Sequence, residues 1–162
     1  MEAKILTSPP QRLLFVCSGN ICRSPLAEAL FNGLAAESGA AGRFVVDSAG
    51  THGLHEGDQA DPRTRVVGRK HGLDVTSMAR PVVDADFDRF DLIIAMDRGH
   101  RRELMARAGP GRTATIRLMR EFDPLAREQD VSDPYYGGEE GFEKMYAVLL
   151  PACRGLLQSL SL

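Results

Sequence analysis

The stretch Leu13-Leu14-Phe15-Val16-Cys17-Ser18-Gly19-Asn20-Ile21-Cys22-Arg23-Ser24-Pro25 joins an apolar strand to a helix through a short polar turn. A cysteine and, after five residues, an arginine at such a turn make a cradle for a tetrahedral oxyanion. Backbone N–H groups of the loop from Cys17 through Ser18, Gly19, Asn20, Ile21 and Cys22 can converge on phosphate oxygens, with Gly19 letting the chain turn. The helix that follows adds the positive end of its dipole, and Pro25 suits a first helical turn. The guanidinium of Arg23 is a planar fork that matches two oxygens. The same positive field favours a thiolate at Cys17, which under a bound phosphate is a nucleophile aimed at phosphorus. Ser24 can hydrogen-bond the sulfur and stabilise it as a leaving group. A nucleotide-binding P-loop is a weaker rival, because its signature needs a Lys after a Gly and none stands here.

Outward from this turn, strand and helix signals alternate. The pattern predicts an α/β, single-domain, Rossmann-like three-layer sandwich: a four-stranded parallel sheet with helices on both faces. The strands are read at Arg12–Val16, Arg43–Asp47, Leu92–Met96 and Thr113–Leu118. The helices are read from Pro25 to Glu37, from Asp61-Pro62 to His71, over Asp84–Phe90, from Asp97 to Ala108 and from Phe142 to Leu160. Leu92-Ile93-Ile94-Ala95-Met96 is apolar throughout, as a buried central strand requires. Residues 1–11 read as a flexible leader and 12–162 as the folded domain. The polar loop from Glu121 to Gly138 is unusually long for such a domain, and loops of that kind tend to be functional. Ligands of these sheets bind beyond the carboxyl ends of the strands, where Cys17, Ser48 and Asp97 all fall.

Composition excludes several classes. The chain has 162 residues, 43% hydrophobic and 26% charged, with a net charge of −2, so no general attraction to nucleic acid or to a membrane surface is indicated. No apolar run approaches the roughly 20 residues of a transmembrane helix. Three cysteines do not make a disulfide framework, and His52, His55, His71 and His100 show no paired zinc spacing, so neither metal nor cofactor is expected. The thiols point to the cytoplasm, where they stay reduced. A monomer is the favoured state.

The run Val16-Cys17-Ser18-Gly19-Asn20-Ile21-Cys22-Arg23-Ser24-Pro25 resembles the active-site signature of the low-molecular-weight protein tyrosine phosphatases. Further landmarks of that family recur in order: Asp47-Ser48-Ala49-Gly50-Thr51, Asp61-Pro62-Arg63, Ala95-Met96-Asp97 and Asp133-Pro134-Tyr135-Tyr136. The resemblance implies hydrolysis of phosphotyrosine in proteins, or of small aryl phosphates, through a phosphocysteine. Cys17 is then the nucleophile, Arg23 the phosphate fork and Asp133 the proton donor. A phenol with a pKa of about 10 is a poor leaving group unless protonated, and a placed acid gives about 10²–10⁴ in rate. By itself Asp133-Pro134 reads more readily as a turn, as Asp123-Pro124 does.

The resemblance also implies that Asn20 holds the loop in a strained shape, assisted by Ser48 and His71. Asp97 would orient Arg23, although it is also a good helix N-cap. Cys22 would be a redox partner that forms a disulfide with Cys17, unless it is plain apolar filler. The substrate rim falls to Leu54, His55, Tyr135 and Tyr136. Family members often carry an aromatic residue, commonly Trp, where this chain has Leu54, and the chain has no Trp. Either tyrosine could also be a phosphorylation site.

Two rivals share the cradle. An arsenate reductase of this fold needs further cysteines later in the chain, and only Cys153 follows Cys22. A non-enzymatic phosphocysteine carrier, or a phosphotyrosine-binding module, would not need both Cys17 and a general acid.

Overall fold

A computed structural model describes residues 9–161. Four strands, β1 (Gln11–Cys17), β2 (Phe44–Gly50), β3 (Leu92–Ala95) and β4 (Thr115–Leu118), form one sheet in the order β2-β1-β3-β4, every pair parallel. The chain therefore leaves β1 towards one edge and later returns to its other side. The carboxyl ends of β1 and β3 flank the switch point where such sheets bind ligands.

Alternation along the central strands sorts the core into two layers. Leu13, Phe15 and Cys17 of β1, with Ile94 of β3, face helices α1 (Arg23–Glu37), α2 (Pro62–Lys70) and α5 (Glu139–Leu160). Leu14 and Val16, with Ile93 and Ala95, face the other layer, built on Phe87 of the short α3 (Asp86–Arg89) and Leu104 of α4 (Arg98–Ala108). The sandwich has the three expected layers.

Local chemistry explains the ends. Asp61 caps α2 by accepting from the Arg63 N–H at 2.8 Å, with Pro62 in the first turn. Gly72, at φ +77°, follows the C-cap of that helix. Asp97 caps α4 by accepting from the His100 N–H at 2.8 Å.

Some boundaries move. Gln11, assigned to the leader, is the first residue of β1; the leader otherwise falls largely on residues outside the described ones. β2 continues to Gly50, because Ser48, Ala49 and Gly50 pair with Phe15, Val16 and Cys17. Thr113 and Ala114 lie before β4, where the Thr113 N–H donates to Asp88. α5 starts three residues early, its first turn carrying Glu139 and Glu140 at the positive end of the dipole. The long loop opens on a 3₁₀ turn, Met119–Phe122, and is moored beside β3 by the Val131 N–H donating to the Met96 carbonyl at 2.9 Å.

No helix among the described residues is long and apolar enough to cross a membrane.

Candidate active site

The turn between β1 and α1 borders a cavity of about 280 Å³. Cys17, Ser18, Gly19, Ile21, Cys22 and Arg23 line one side; His52, Leu54, His55, Asp133, Tyr135 and Tyr136 line the other. A larger hollow of about 780 Å³ lies behind the loop that carries Asp133, and Asp133 alone borders both.

The shape of the turn is set from beneath. Asn20 stands at φ +61°, in the left-handed region that asparagine tolerates better than most residues. Its buried amide donates to Ser24 Oγ at 2.8 Å and Ser48 Oγ at 3.0 Å, and its carbonyl oxygen accepts from the Arg80 N–H at 3.0 Å. Ser48 passes its own proton to Glu28 Oε1 at 2.6 Å. Burial raises the Glu28 carboxyl above its ordinary range, against the opposing pull of that bond. Because Ser24 accepts from Asn20, its hydroxyl proton can turn to Cys17 Sγ at 3.0 Å, with the Ala49 carbonyl a more distant acceptor at 3.4 Å. At the back of the cavity, a Cβ on Gly50 would stand 2.5 Å from the Ser18 carbonyl, so only glycine lets β2 pass there.

His71 is not part of this support. It sits at the C-cap of α2, stacks on Tyr146 of α5 at 3.6 Å between ring centroids, and meets Glu143 at 3.1 Å. Its position at the far end of α2 turns it towards α5, so it ties two helices together. Glu28 and the Arg80 backbone complete the Asn20–Ser48 network instead.

Arg23 is the first residue of α1 and only 3% exposed. Its Nη1 donates to Asp97 Oδ2 at 3.0 Å and to the Val131 carbonyl at 2.9 Å; its Nη2 donates to Ser18 Oγ at 3.3 Å. A guanidinium has five N–H donors, so Nε–H and one Nη2–H remain for an oxyanion. Asp97 thus caps α4 with one oxygen and accepts from Arg23 with the other.

Asp133 enters the cavity from the long loop. Its Oδ1 accepts from the Tyr135 N–H at 3.0 Å in a local turn, and its Oδ2 lies 3.7 Å from Arg23 Nη2. Asp133 is thus a turn residue whose second carboxylate oxygen faces the cavity. Asp123 is a turn residue, accepting from the Leu125 N–H. On the rim, Leu54 is 83% exposed and Tyr136 92%, whereas Tyr135 packs edge-on against Tyr136 and lies under the Arg63 guanidinium. His55 leans over the loop so closely that a Cβ on Gly19 would come within 2.8 Å of its ring.

The three cysteines are free and buried. Burial, and then the charges of Asp61 and Cys17, push the Cys22 thiol up to about 12. Burial alone pushes the Cys153 thiol up; it sits in α5 against the Ala27 carbonyl. No group of three or more metal-ligating side chains exists among the described residues.

His100 is a site residue that sequence reasoning missed. It stands in the first turn of α4, and its Nε2 is 2.8 Å from Ser18 Oγ. The available signal was its place three residues after the cap Asp97, which puts both on one face of the helix start.

The family model of low molecular weight phosphotyrosine protein phosphatase matches residues 12–162. The chain belongs to this family. A low molecular weight protein-tyrosine-phosphatase of Streptomyces coelicolor is 46% identical over 149 residues, covering 90% of this chain and 91% of the relative. The crystal structure of an Entamoeba histolytica protein tyrosine phosphatase, with HEPES in its active site, superimposes with a TM-score of 0.89 at 44% identity, covering 93% of this chain and 96% of that one. A Drosophila arginine phosphatase matches with a TM-score of 0.85 at 32% identity, covering 93% and 98%. Like the low molecular weight phosphatases it groups with, the chain is a hydrolase.

Proposed function

We propose that the protein hydrolyses phosphotyrosine monoesters through a phosphocysteine intermediate. The observation that carries this reading is the convergence of Cys17 Sγ, the pinned Arg23 fork and Asp133 Oδ2 on one cavity. Arg23 and the loop amides hold the equatorial oxygens. Cys17 Sγ attacks phosphorus, the Sγ–P bond forms, and the P–O bond to the phenol breaks as Asp133 gives its proton to the departing oxygen. Asp133, now ionised, takes a proton from water; the water oxygen bonds to phosphorus and the Sγ–P bond breaks. The Ser24 hydroxyl, held by Asn20, donates to the departing thiolate. Most of the rate comes from positioning and from charge already in place.

Cys22 serves in this reading as a thiol that can pair with Cys17 on oxidation and shield it from further oxidation. A reducing cytoplasm suits the mechanism, and we read the protein as a monomer there. The arsenate reductase alternative is weak, because Cys153 is sealed within α5. A carrier would have no use for Asp133. Phosphoarginine is the second substrate to examine, given the arginine phosphatase neighbour.

Steady-state kinetics test the reading. Cys17→Ser should abolish turnover of para-nitrophenyl phosphate. Asp133→Asn should lower kcat about 10²-fold on a phenyl phosphate of poor leaving group and less on para-nitrophenyl phosphate. A phosphotyrosine peptide should be cleaved faster than phosphoserine or phosphoarginine peptides. Substantial activity in Cys17→Ser, or preference for phosphoarginine, would overturn the corresponding part.

A further inference from the structure

His100 has no part in the chemistry above, yet it is 6% exposed and touches the cradle directly. Four side chains form a closed ring: Asp97 Oδ2 to Arg23 Nη1 at 3.0 Å, Arg23 Nη2 to Ser18 Oγ at 3.3 Å, Ser18 Oγ to His100 Nε2 at 2.8 Å, and His100 Nδ1 to Asp97 Oδ1 at 3.2 Å. The last approach is off the line of a good hydrogen bond, and Nδ1 has no better-aligned partner. A lone pair on Nδ1 would face a carboxylate oxygen, so that nitrogen is the one that keeps the proton. Nε2 is then an acceptor. Ser18 must donate its hydroxyl proton to Nε2, which turns an oxygen lone pair towards Arg23. Arg23 then donates both ways, to Asp97 directly and to Ser18, and the second route runs on through Ser18 and His100 to end on Asp97.

We propose that His100 is a positioning residue of the phosphate site: as the neutral Nδ1–H tautomer it fixes the Ser18 hydroxyl, and through it the second nitrogen of the Arg23 fork. This rests on the reading of Cys17–Arg23 as the phosphate cradle. Nη1 is already held twice, by Asp97 and Val131. Nη2 is held only by Ser18 and approached by Asp133 at 3.7 Å. Without His100 the Ser18 hydroxyl is free to turn its proton towards Arg23, and Nη2 loses its fixed acceptor. The neutral state is maintained by the surroundings. Burial, then Arg23, push the imidazole down to about 4 against the opposing pull of Asp97, Asp133 and Asp130.

Long-range ¹H–¹⁵N NMR of the wild-type imidazole at pH 7 should show Nδ1 protonated and Nε2 bare; an Nε2–H tautomer overturns the ring. Inorganic phosphate is the probe of the cradle, its affinity read by isothermal titration without turnover. His100→Ala should weaken phosphate about tenfold and lower kcat/KM on para-nitrophenyl phosphate by at least that factor. His100→Gln, whose side-chain oxygen can accept from Ser18, should recover both to within about threefold. Unchanged phosphate affinity in a folded His100→Ala, or a Gln variant no better than Ala, overturns the proposal. If His100→Ala does not fold by circular dichroism, Ser18→Ala opens the same ring from the other side. It must then weaken phosphate comparably, and an unchanged affinity again overturns the idea. A wild type that binds phosphate with the expected tautomer but turns over no aryl phosphate sinks the phosphatase reading alone.

Discussion

Asn20 concentrates the strain of the cradle in one residue. Its left-handed backbone costs an ordinary L-residue about 1–2 kcal/mol, and its buried amide fixes both Ser24 and Ser48. Two substitutions separate these contributions. Asn20→Gly keeps the backbone easy and loses the amide, whereas Asn20→Ala loses the amide and adds the backbone cost. Both should lower kcat/KM about 10–100-fold, because the Ser24 hydroxyl is no longer aimed at Cys17. In urea unfolding Asn20→Ala should be less stable than Asn20→Gly by about 1 kcal/mol. Equal stability of the two variants would show that the positive φ stores no strain.

At the scale of the element, the loop before α3 acts as a bracket for the cradle. Arg80 pairs with the fully buried carboxylate of Asp86 through Nη1 at 3.0 Å and Nη2 at 3.2 Å. It also reaches Asp47 of β2 at 3.0 Å, while its backbone N–H holds Asn20. Arg80→Met keeps much of the side chain's bulk but leaves the buried Asp86 carboxylate with the Val83 N–H at 2.8 Å and the more distant, exposed Arg89 guanidinium at 3.8 Å. Breaking a buried pair from one side costs about 3–5 kcal/mol, so chemical denaturation should show a loss of that size. Double replacement, Arg80→Met with Asp86→Leu, should be less damaging than the single change; a double variant as unstable as Arg80→Met would argue against the buried charge as the cause. Such a bracket was not legible in the sequence. The helices and the parallel sheet were, since their periodicity, Asp-Pro cap and glycine stops are local signals. The cradle formed by Cys17 and Arg23 could be proposed from local spacing, because one turn holds both, whereas the role of Asn20 came only from the family resemblance. Contacts such as Ser18 to His100 or Arg80 to Asp47 join residues far apart along the chain and depend on the register of β1, β2 and β3. His71 was misplaced for a related reason: its helix-end position was read correctly, but nothing local told which neighbour it would face.

Across the whole molecule, proton binding links the site to stability. Several carboxyls, among them Asp61 and Asp130, are held below their ordinary range: burial raises them, but their bonds to Arg63 and Arg98 outweigh it. Their stabilisation is present at neutral pH and is lost as pH falls through their folded values. His100 acts in the same direction at higher pH. Its unfolded imidazole takes up a proton near pH 6.5, whereas the folded one refuses it until about 4. The unfolded chain therefore binds more protons across that window, and stability must fall as pH drops from about 6.5 to 4. For a group this buried the loss is on the order of 3 kcal/mol, and it adds to the carboxylate loss that begins lower. Wild type should thus lose stability between pH 7 and pH 5, before most carboxylates titrate. His100→Gln carries no such proton, so its unfolding free energy should fall less steeply than that of wild type between pH 7 and pH 5. Urea titrations of both proteins at half-unit pH steps would expose the difference. Parallel curves for the two would mean that His100 titrates normally in the fold, and that the ring around Arg23 does not exclude a proton.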